Sequence, residues 1–164
     1  MGISLVKVLD FQACVNSQTA PISLGNIPVD STKDVCSVTL SVTPDSLAWL
    51  NGHFYVNNNN SSSVGTQFVT VTITRDDDNK LVFQSFVEID IEGADDYTFI
   101  SVQAVDEIDA DLSTATYTLR VSANVDNIEL FTPITFTGMS IQNGGITVSQ
   151  AAGVRRPSNS SDPL

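Results

Sequence analysis

The stretch from Tyr117 to Gln142 constrains the fold of this chain more than any other part of the sequence. Apolar and polar residues alternate from Tyr117 to Ser122, which is the period of a half-buried strand. Asn124–Asn127 follows, and Asn and Asp favour turns because they tolerate left-handed backbone and bond their own main chain. The segment that begins at Ile128 is apolar on both faces. The stretch therefore predicts two long antiparallel strands joined by a short turn.

The second of these strands predicts how the protein associates. A strand that is apolar on both faces is covered on both faces, either by a second sheet or by a neighbouring subunit. We therefore expect a structural, self-associating protein rather than an enzyme. The predicted subunit interface consists of five apolar residues of this strand, Leu130, Phe131, Ile134, Phe136 and Met139.

Further segments with the period of a strand recur along the chain, separated by turn residues. No segment has the period of a helix. Eight to ten strands in one chain of 164 residues predict an all-β fold, a jelly-roll β-sandwich. An immunoglobulin-like sandwich is the competing prediction, but its Cys-Trp-Cys order is absent because Trp49 follows both cysteines. The predicted segments are 22–24, 35–43, 47–57 with a tight turn or bulge at Asn51-Gly52, 68–74, 81–92, 97–105, 117–123, 128–142 and 146–149.

Residues 3–15 alternate only loosely, which is compatible with a first strand or with an extended arm, and the C-terminal end has no strand period. We predict an N-terminal arm over residues 1–30, a jelly-roll domain over 31–150 and a flexible tail over 151–164, which is rich in Ser, Pro and Gly. The arm would act as a connector that reaches into a neighbouring subunit, because strand addition uses main-chain hydrogen bonds and needs little sequence signature. The predicted connector residues are Leu5, Val6, Val8 and Phe11.

Charge excludes two classes of partner. The chain has 19 acidic residues against 7 basic residues, a formal net charge of −12 at pH 7. Such a charge repels nucleic-acid phosphates and anionic lipid, so we expect neither nucleic-acid binding nor binding at a membrane surface. No apolar run is long enough to cross a bilayer. The N-terminus lacks the basic region, long apolar region and cleavage site of a Sec signal peptide, so we expect synthesis in a cytoplasm.

Cys14 and Cys36 are the two cysteines, and neither has the spacing of a metal or redox motif. Two buried free thiols are one interpretation. A disulfide is the other, and it would either tie the N-terminal arm to the first core strand or link one subunit to the next. The sequence does not decide between these pairings.

Two acidic clusters, Asp76–Asn79 and the loop that holds Asp106, Asp109 and Asp111, are the candidates for a metal site. Clustered oxygen ligands suit Ca²⁺. Neither cluster has the glycine and the distant glutamate of an EF-hand loop. We interpret both as solvated acidic turns and expect no metal and no cofactor.

Catalytic motifs are absent from the sequence. His53 is the only histidine, and general-base work needs a positioned partner. No nucleophile elbow, phosphate-binding loop or dinucleotide fingerprint is present. Trp49, Phe54 and Tyr55 would form a sugar-stacking platform if they were exposed, and we expect them in the core. The polar loop Asn57–Ser63 is a second place for a glycan or receptor ligand.

The order of segments resembles a known group of proteins. A strand, the DDD hairpin, a second strand, YTFISVQAV, YTLRVSANV and a final Phe- and Thr-rich strand follow one another between residues 30 and 150. This order is similar to the tumour-necrosis-factor-like jelly rolls of bacterial spore surfaces, which include exosporium proteins and endospore appendage subunits. The chain departs from them in having no collagen-like tract and only the single Cys14 in its arm.

The resemblance implies a spore-surface or cell-surface protein that is made without a Sec signal, forms trimers or fibres and has no catalytic activity. We therefore expect a self-assembling subunit of a surface layer or fibre whose main partner is a copy of itself. Two alternatives stay open. One is a carbohydrate- or receptor-binding sandwich module, and the other is a viral or phage capsid or surface protein.

Overall fold

The computed structural model describes residues 6–18, 20–59, 65–89, 97–109 and 111–143. Within these ranges the chain forms nine β-strands and no helix. No described helix is long and apolar enough to span a membrane. The strands are β1 (Val6–Asn16), β2 (Ser23–Asn26), β3 (Lys33–Ser41), β4 (Ser46–Asn58), β5 (Phe68–Arg75), β6 (Lys80–Glu88), β7 (Tyr97–Glu107), β8 (Thr114–Ala123) and β9 (Ile128–Asn143).

The strands form two antiparallel sheets. Sheet A has the order β1-β9-β4-β7, with β2 paired to a further part of β9, and sheet B has the order β3-β8-β5-β6. From β3 onward every connection between described strands crosses to the other sheet, except the hairpin that joins β5 to β6. A five-stranded and a four-stranded layer wound in this way form a jelly roll. The prediction of an all-β jelly-roll sandwich is confirmed.

Alternation along each strand builds the core between the sheets. In β8, Tyr117, Leu119 and Val121 are fully buried, whereas Thr116, Arg120 and Ser122 on the other face are only partly buried. This is the inward and outward alternation that the sequence predicts. The core also includes Leu40, Leu50, Phe54, Val71, Ile73, Ile100, Leu130 and Phe136.

Two glycines allow the sheets to approach closely. A Cβ atom on Gly52 of β4 would lie 2.9 Å from Leu119 Cδ2 of the opposite sheet and 3.2 Å from Phe136 Cδ2. A Cβ atom on Gly138 of β9 would lie 3.0 Å from Leu40 Cδ1. The predicted turn or bulge at Asn51-Gly52 is wrong, because β4 pairs without a break there with both neighbours. The glycine is required for packing between layers instead.

The predicted N-terminal arm is part of the sandwich. β1 pairs with β9 of its own chain from Val6 to Asn16, with one register shift between Val8 and Asp10. The domain boundary at residue 30 and the prediction of a free connector are therefore corrected. The exposed side chains of Val6, Val8 and Phe11 point away from the core, and Leu5 lies outside the described residues. The predicted strand 146–149 and the tail 151–164 also lie outside them.

A disulfide closes one corner of the sandwich. Cys14 Sγ of β1 is bonded to Cys36 Sγ of β3 within the same chain. Near it, the backbone N–H of Ser41 donates to Asp10 Oδ2 at 2.8 Å. Of the alternatives that the sequence leaves open, the structure has the disulfide between the N-terminal segment and the first core strand. These contacts connect the edge of sheet A to the edge of sheet B.

Replacing Gly52 by Val will destabilise the fold by about 1–3 kcal/mol, because the added methyl groups enter a filled interior. Thermal or urea unfolding followed by circular dichroism measures the change. Asn51→Val is the control, since that side chain lies on the outer face of the same strand. Equal stability of the two variants would contradict the close approach of the sheets at Gly52.

Removing the disulfide with Cys14→Ala and Cys36→Ala together will lower the free energy of unfolding by about 3 kcal/mol. The bond closes a loop with a sequence separation of 22, and cross-links of this size restrict the unfolded chain by about that amount. Urea unfolding of the oxidised protein and the double variant measures the difference. A non-reducing gel that shows the wild-type bond between two chains would overturn the intrachain assignment.

Candidate interaction surface

The residues predicted as a subunit interface lie inside their own subunit. Leu130, Phe131, Ile134 and Phe136 are all buried in the single chain, and only Met139 of the predicted set is partly exposed. The prediction is therefore corrected for the four buried residues, because their side chains are not available to a neighbour. Leu130, Ile134 and Phe136 lie on the inner face of β9, and the ring of Phe131 packs edge-on against Tyr97. His53 pairs with Thr135 whereas Tyr55 pairs with Phe131, so β9 has two extra residues there, which leaves its inward and outward faces unchanged.

The outer face of sheet A has an apolar row that crosses four strands. Phe11 of β1 pairs with Met139 of β9, Met139 pairs with Trp49 of β4, and Trp49 pairs with Val105 of β7. Phe11 is 59% exposed, Trp49 49% and Val105 58%. Cross-strand neighbours on one face are in side-chain contact range. The four side chains therefore form one continuous apolar band.

A shallow groove of about 200 Å³ lies along this band. Phe11, Trp49 and Met139 supply its apolar walls, and Asn51 and Gln103 are among its polar residues. Thr137 and Gly138 complete the lining. None of these side chains carries a charge, so the groove suits an uncharged partner surface.

Charge is absent from the centre of this face. Two further rows follow the apolar band in register, one through Ala13 and Asn51 and one through Val15 and His53. The three rows contain no Asp, Glu, Lys or Arg. Beyond them, Tyr55 and Phe99 stack with ring centroids 5.1 Å apart. On a chain with a net charge of −12, this outer face of sheet A is an unusually neutral and apolar surface.

The outer face of sheet B is chemically different. Ser37 Oγ and Thr118 Oγ1 share a hydrogen bond of 2.8 Å across β3 and β8, and Thr39 and Thr116 share one of 3.0 Å. Arg120 forms ion pairs on this face with Asp34 and Asp76. These groups satisfy one another or face water. The part of this face on β3 and β8 is therefore polar, whereas Leu81 and Phe86 are exposed on β6 at its other edge.

The aromatic residues that the sequence places together are separated by the strand. Phe54 is fully buried, as predicted, whereas Trp49 points outward and Tyr55 is partly exposed on the same outer face as Trp49. The prediction that all three lie in the core is wrong for Trp49 and Tyr55, which lie on the outer face. His53 has the ring of Phe99 as a neighbour, with centroids 5.9 Å apart. Strand alternation is the signal that separates Trp49 from Phe54, since odd and even positions point to opposite faces.

The acidic loop that was the metal candidate is paired with cations of the chain itself. Asp106 is buried and accepts hydrogen bonds from Arg75 Nη1 at 2.8 Å and Tyr117 Oη at 2.9 Å. Its other oxygen lies 2.8 Å from Lys80 Nζ. Arg75 Nη2 also lies 3.4 Å from Asp109 Oδ1. Asp111 is exposed, and the described residues contain no group of three or more ligands suited to a metal ion.

Arg75 is the centre of this cluster, which ties together the ends of β5, β7 and β8. Its side chain is only 1% exposed. The hydrogen bond that Arg75 donates lowers the pKa of Asp78 to about 2, and the bond to Asp78 raises the pKa of Arg75 above its usual value. Burial, followed by the nearby charge of Asp106, raises the pKa of Tyr117. The cluster is a buried ion network that connects the ends of these three strands.

Comparison with known proteins shows partial likeness of shape only. No protein-family model matches the chain, and no curated protein matches it. It is similar to infectious bursal disease virus VP2 in a subviral particle, with a TM-score of 0.49, 11% identity and coverage of 84% of this chain and 33% of that chain. The structure of the Gx strain of that virus is similar with a TM-score of 0.48, 13% identity and coverage of 84% of this chain and 34% of that chain.

An arabinose-bound α-L-arabinofuranosidase is similar with a TM-score of 0.41, 12% identity and coverage of 81% of this chain and 23% of that chain. The chain spans about a third of the length of the viral proteins that it matches. At these scores and identities, the likenesses carry no inference about function.

Replacing Arg75 by Met will destabilise the protein by about 3 kcal/mol. The substitution leaves Asp106 buried with only Lys80 as its cation, and breaking a buried pair by removing one partner costs roughly 3–5 kcal/mol. Arg120→Met is the matched control and will cost below about 1 kcal/mol, because that network is more exposed. Urea unfolding at pH 7 measures both, and equal losses would contradict the structural role of Arg75.

The Arg75→Met variant also tests how the stability of the protein depends on acid pH. The pKa of Asp78 is lowered in the folded state to about 2, so its ion pair stabilises the fold above the unfolded value near 4. That contribution is lost as the pH falls from about 4 to 2. The wild type will therefore lose more stability than Arg75→Met over this interval, and parallel pH profiles would contradict the assignment.

Proposed function

We propose that this protein is a structural subunit that self-associates through the outer face of sheet A into a homo-oligomer or filament of a surface layer. The observation that carries the proposal is the uncharged outer face of sheet A, which presents Phe11, Trp49 and Val105 in one exposed row. Large apolar surfaces on soluble proteins mark sites of association.

A second copy of the chain is the partner that the charges favour. Two molecules with a net charge of −12 repel each other over most of their surfaces. The central rows of sheet A are the place where two copies meet without opposing charges. Salt screens the remaining repulsion, so association will strengthen as ionic strength rises.

The size of the face is sufficient for a reversible contact between subunits. The face has four rows, the three uncharged rows and the row of Tyr55 and Phe99. Four strands spaced about 4.8 Å apart and four rows spaced roughly 7 Å apart cover roughly 500 Å² on each copy. Two copies would then bury about 1,000 Å² in total, which is the size of a weak or transient protein interface. A contact of this size supports an assembly that is built from many weak repeats.

The finer form of the assembly is also part of the proposal. A trimer or fibre on a bacterial spore surface follows from the resemblance in the order of strands between residues 30 and 150. A viral or phage surface protein is the alternative setting for the same self-associating sandwich. The apolar face has the same role in both settings.

A carbohydrate-binding module is the second candidate function, and the groove on sheet A favours it. The indole of Trp49 is exposed beside the uncharged side chains of Asn51, Gln103 and Thr137. Apolar walls with a few hydrogen-bonding groups are typical of sites for small neutral ligands. A glycan array probed with the wild type, and repeated with Trp49→Ala, tests this function. Binding that depends on Trp49 in a protein that stays monomeric would favour it over self-association.

Trp49→Asp will abolish association through this face and leave the fold intact. The substitution places a charge at the centre of the apolar band, where each copy would face another. In analytical ultracentrifugation at micromolar concentration, the wild type will sediment as a larger oligomer than the variant. Thr39→Asp is the matched control on the polar face and will behave as the wild type. If the two variants have the same sedimentation coefficient, the proposed interface is wrong.

A further inference from the structure

The free edge of sheet A is a second surface for association. β7 is the last strand of sheet A and pairs with β4 along its length. Within the described part of the chain, no strand pairs with its other side. Only near its end does Lys80 Nζ donate to the backbone oxygen of Glu107, at 3.4 Å. The backbone groups of an edge strand are available to pair with another chain.

β7 lacks the features that keep edge strands apart. Nine consecutive residues from Tyr97 to Val105 include no charged residue, no proline and no glycine. Phe99 and Val105 are both more than half exposed. Soluble proteins usually protect such an edge with lysine, proline, a bulge or a covering loop. The pairing of β7 with β4 is regular, with no bulge.

Antiparallel pairing of β7 with a second β7 has one favourable register. If Val102 lies opposite Val102 of the second copy, then Phe99 lies opposite Val105 and Ser101 opposite Gln103. An aromatic residue opposite a β-branched residue is a stabilising cross-strand pair. This register also avoids repulsion at the acidic end of β7, residues Asp106 and Glu107. Asp106 lies opposite Thr98 of the second copy and Glu107 lies opposite Tyr97, so no carboxylate lies opposite another.

We propose that two copies of this chain pair through β7 about a two-fold axis at Val102, which joins their two A sheets into one continuous sheet. The proposal rests on the self-association proposed above and adds a second, separate contact. The edge contact lies in the plane of the sheet, whereas the apolar face contacts a copy stacked on it. A subunit with two different two-fold contacts binds one further copy at each contact. Such an assembly does not in general close into a ring and grows into an open filament.

Ser101→Lys tests the edge. It places two like charges beside the axis, where they oppose Gln103 and lie near each other. The substituted side chain lies on the exposed side of the strand, so the substitution will leave the fold intact. Because Ser101 also lies in one of the three uncharged rows of the outer face, the substitution is made in the Trp49→Asp background, where the face contact is already lost. Sedimentation velocity will then show a dimer dissociation constant raised by at least about tenfold. Thr39→Lys is the control with the same change of charge on the polar face of β3 and will leave the constant unchanged.

Cross-linking tests the register directly. Ser101→Cys combined with Gln103→Cys will form disulfides between the two copies under mild oxidation, because these positions face each other across the axis. Peptide mapping will identify bonds between position 101 of one chain and position 103 of the other. Ser101→Cys alone will stay uncross-linked, whereas efficient cross-linking of that single variant would overturn the register.

The outcomes separate this proposal from the proposed function. If Ser101→Lys and the control associate equally while Trp49→Asp is monomeric, the edge proposal is wrong and the apolar face stands. If Ser101→Lys weakens association and Trp49→Asp does not, the copies pair through β7 and the proposed contact through the outer face of sheet A is wrong. A wild type that is monomeric at all concentrations overturns both.

Discussion

The pairing of β9 with three other strands is the interaction on which the rest of the structure depends. β9 pairs with β4 along most of its length, with β1 on its other side and with β2 near its start. It thus holds both the first strand of the sequence and the centre of sheet A. Its inward residues, such as Phe136, pack against sheet B, where glycines at positions 52 and 138 let the layers meet.

The same strand sets the chemistry of the outer face. Once β9 lies between β1 and β4, the register brings Phe11, Met139 and Trp49 into one row. The row is a consequence of backbone pairing, because its members are far apart in sequence. The disulfide between Cys14 and Cys36 keeps β1 at the corner of the sandwich. It thereby stabilises the part of the row that has the fewest core contacts.

Strand periodicity predicts most of the fold and little of the surface. The alternation of Tyr117, Leu119 and Val121 was enough to predict β8 and its buried face, because this information is local. The apolar residues of β9 were not assigned correctly, since a buried residue of a sandwich and a residue at a subunit interface have the same hydrophobicity. The two extra residues of β9 near Pro133 keep every side chain on its face, so the sequence pattern does not reveal them and pairing with β4 is required to detect them. Likewise, the cations that pair with Asp106 come from β5 and β6, which sequence spacing does not reveal.

Self-association of the wild-type chain through uncharged sheet surfaces is the central claim. Sedimentation velocity of the full chain over a range of protein and salt concentrations tests it most directly. The account predicts oligomers that grow with protein concentration and become more stable as salt screens the charge of −12. A monomer at every protein and salt concentration would contradict it.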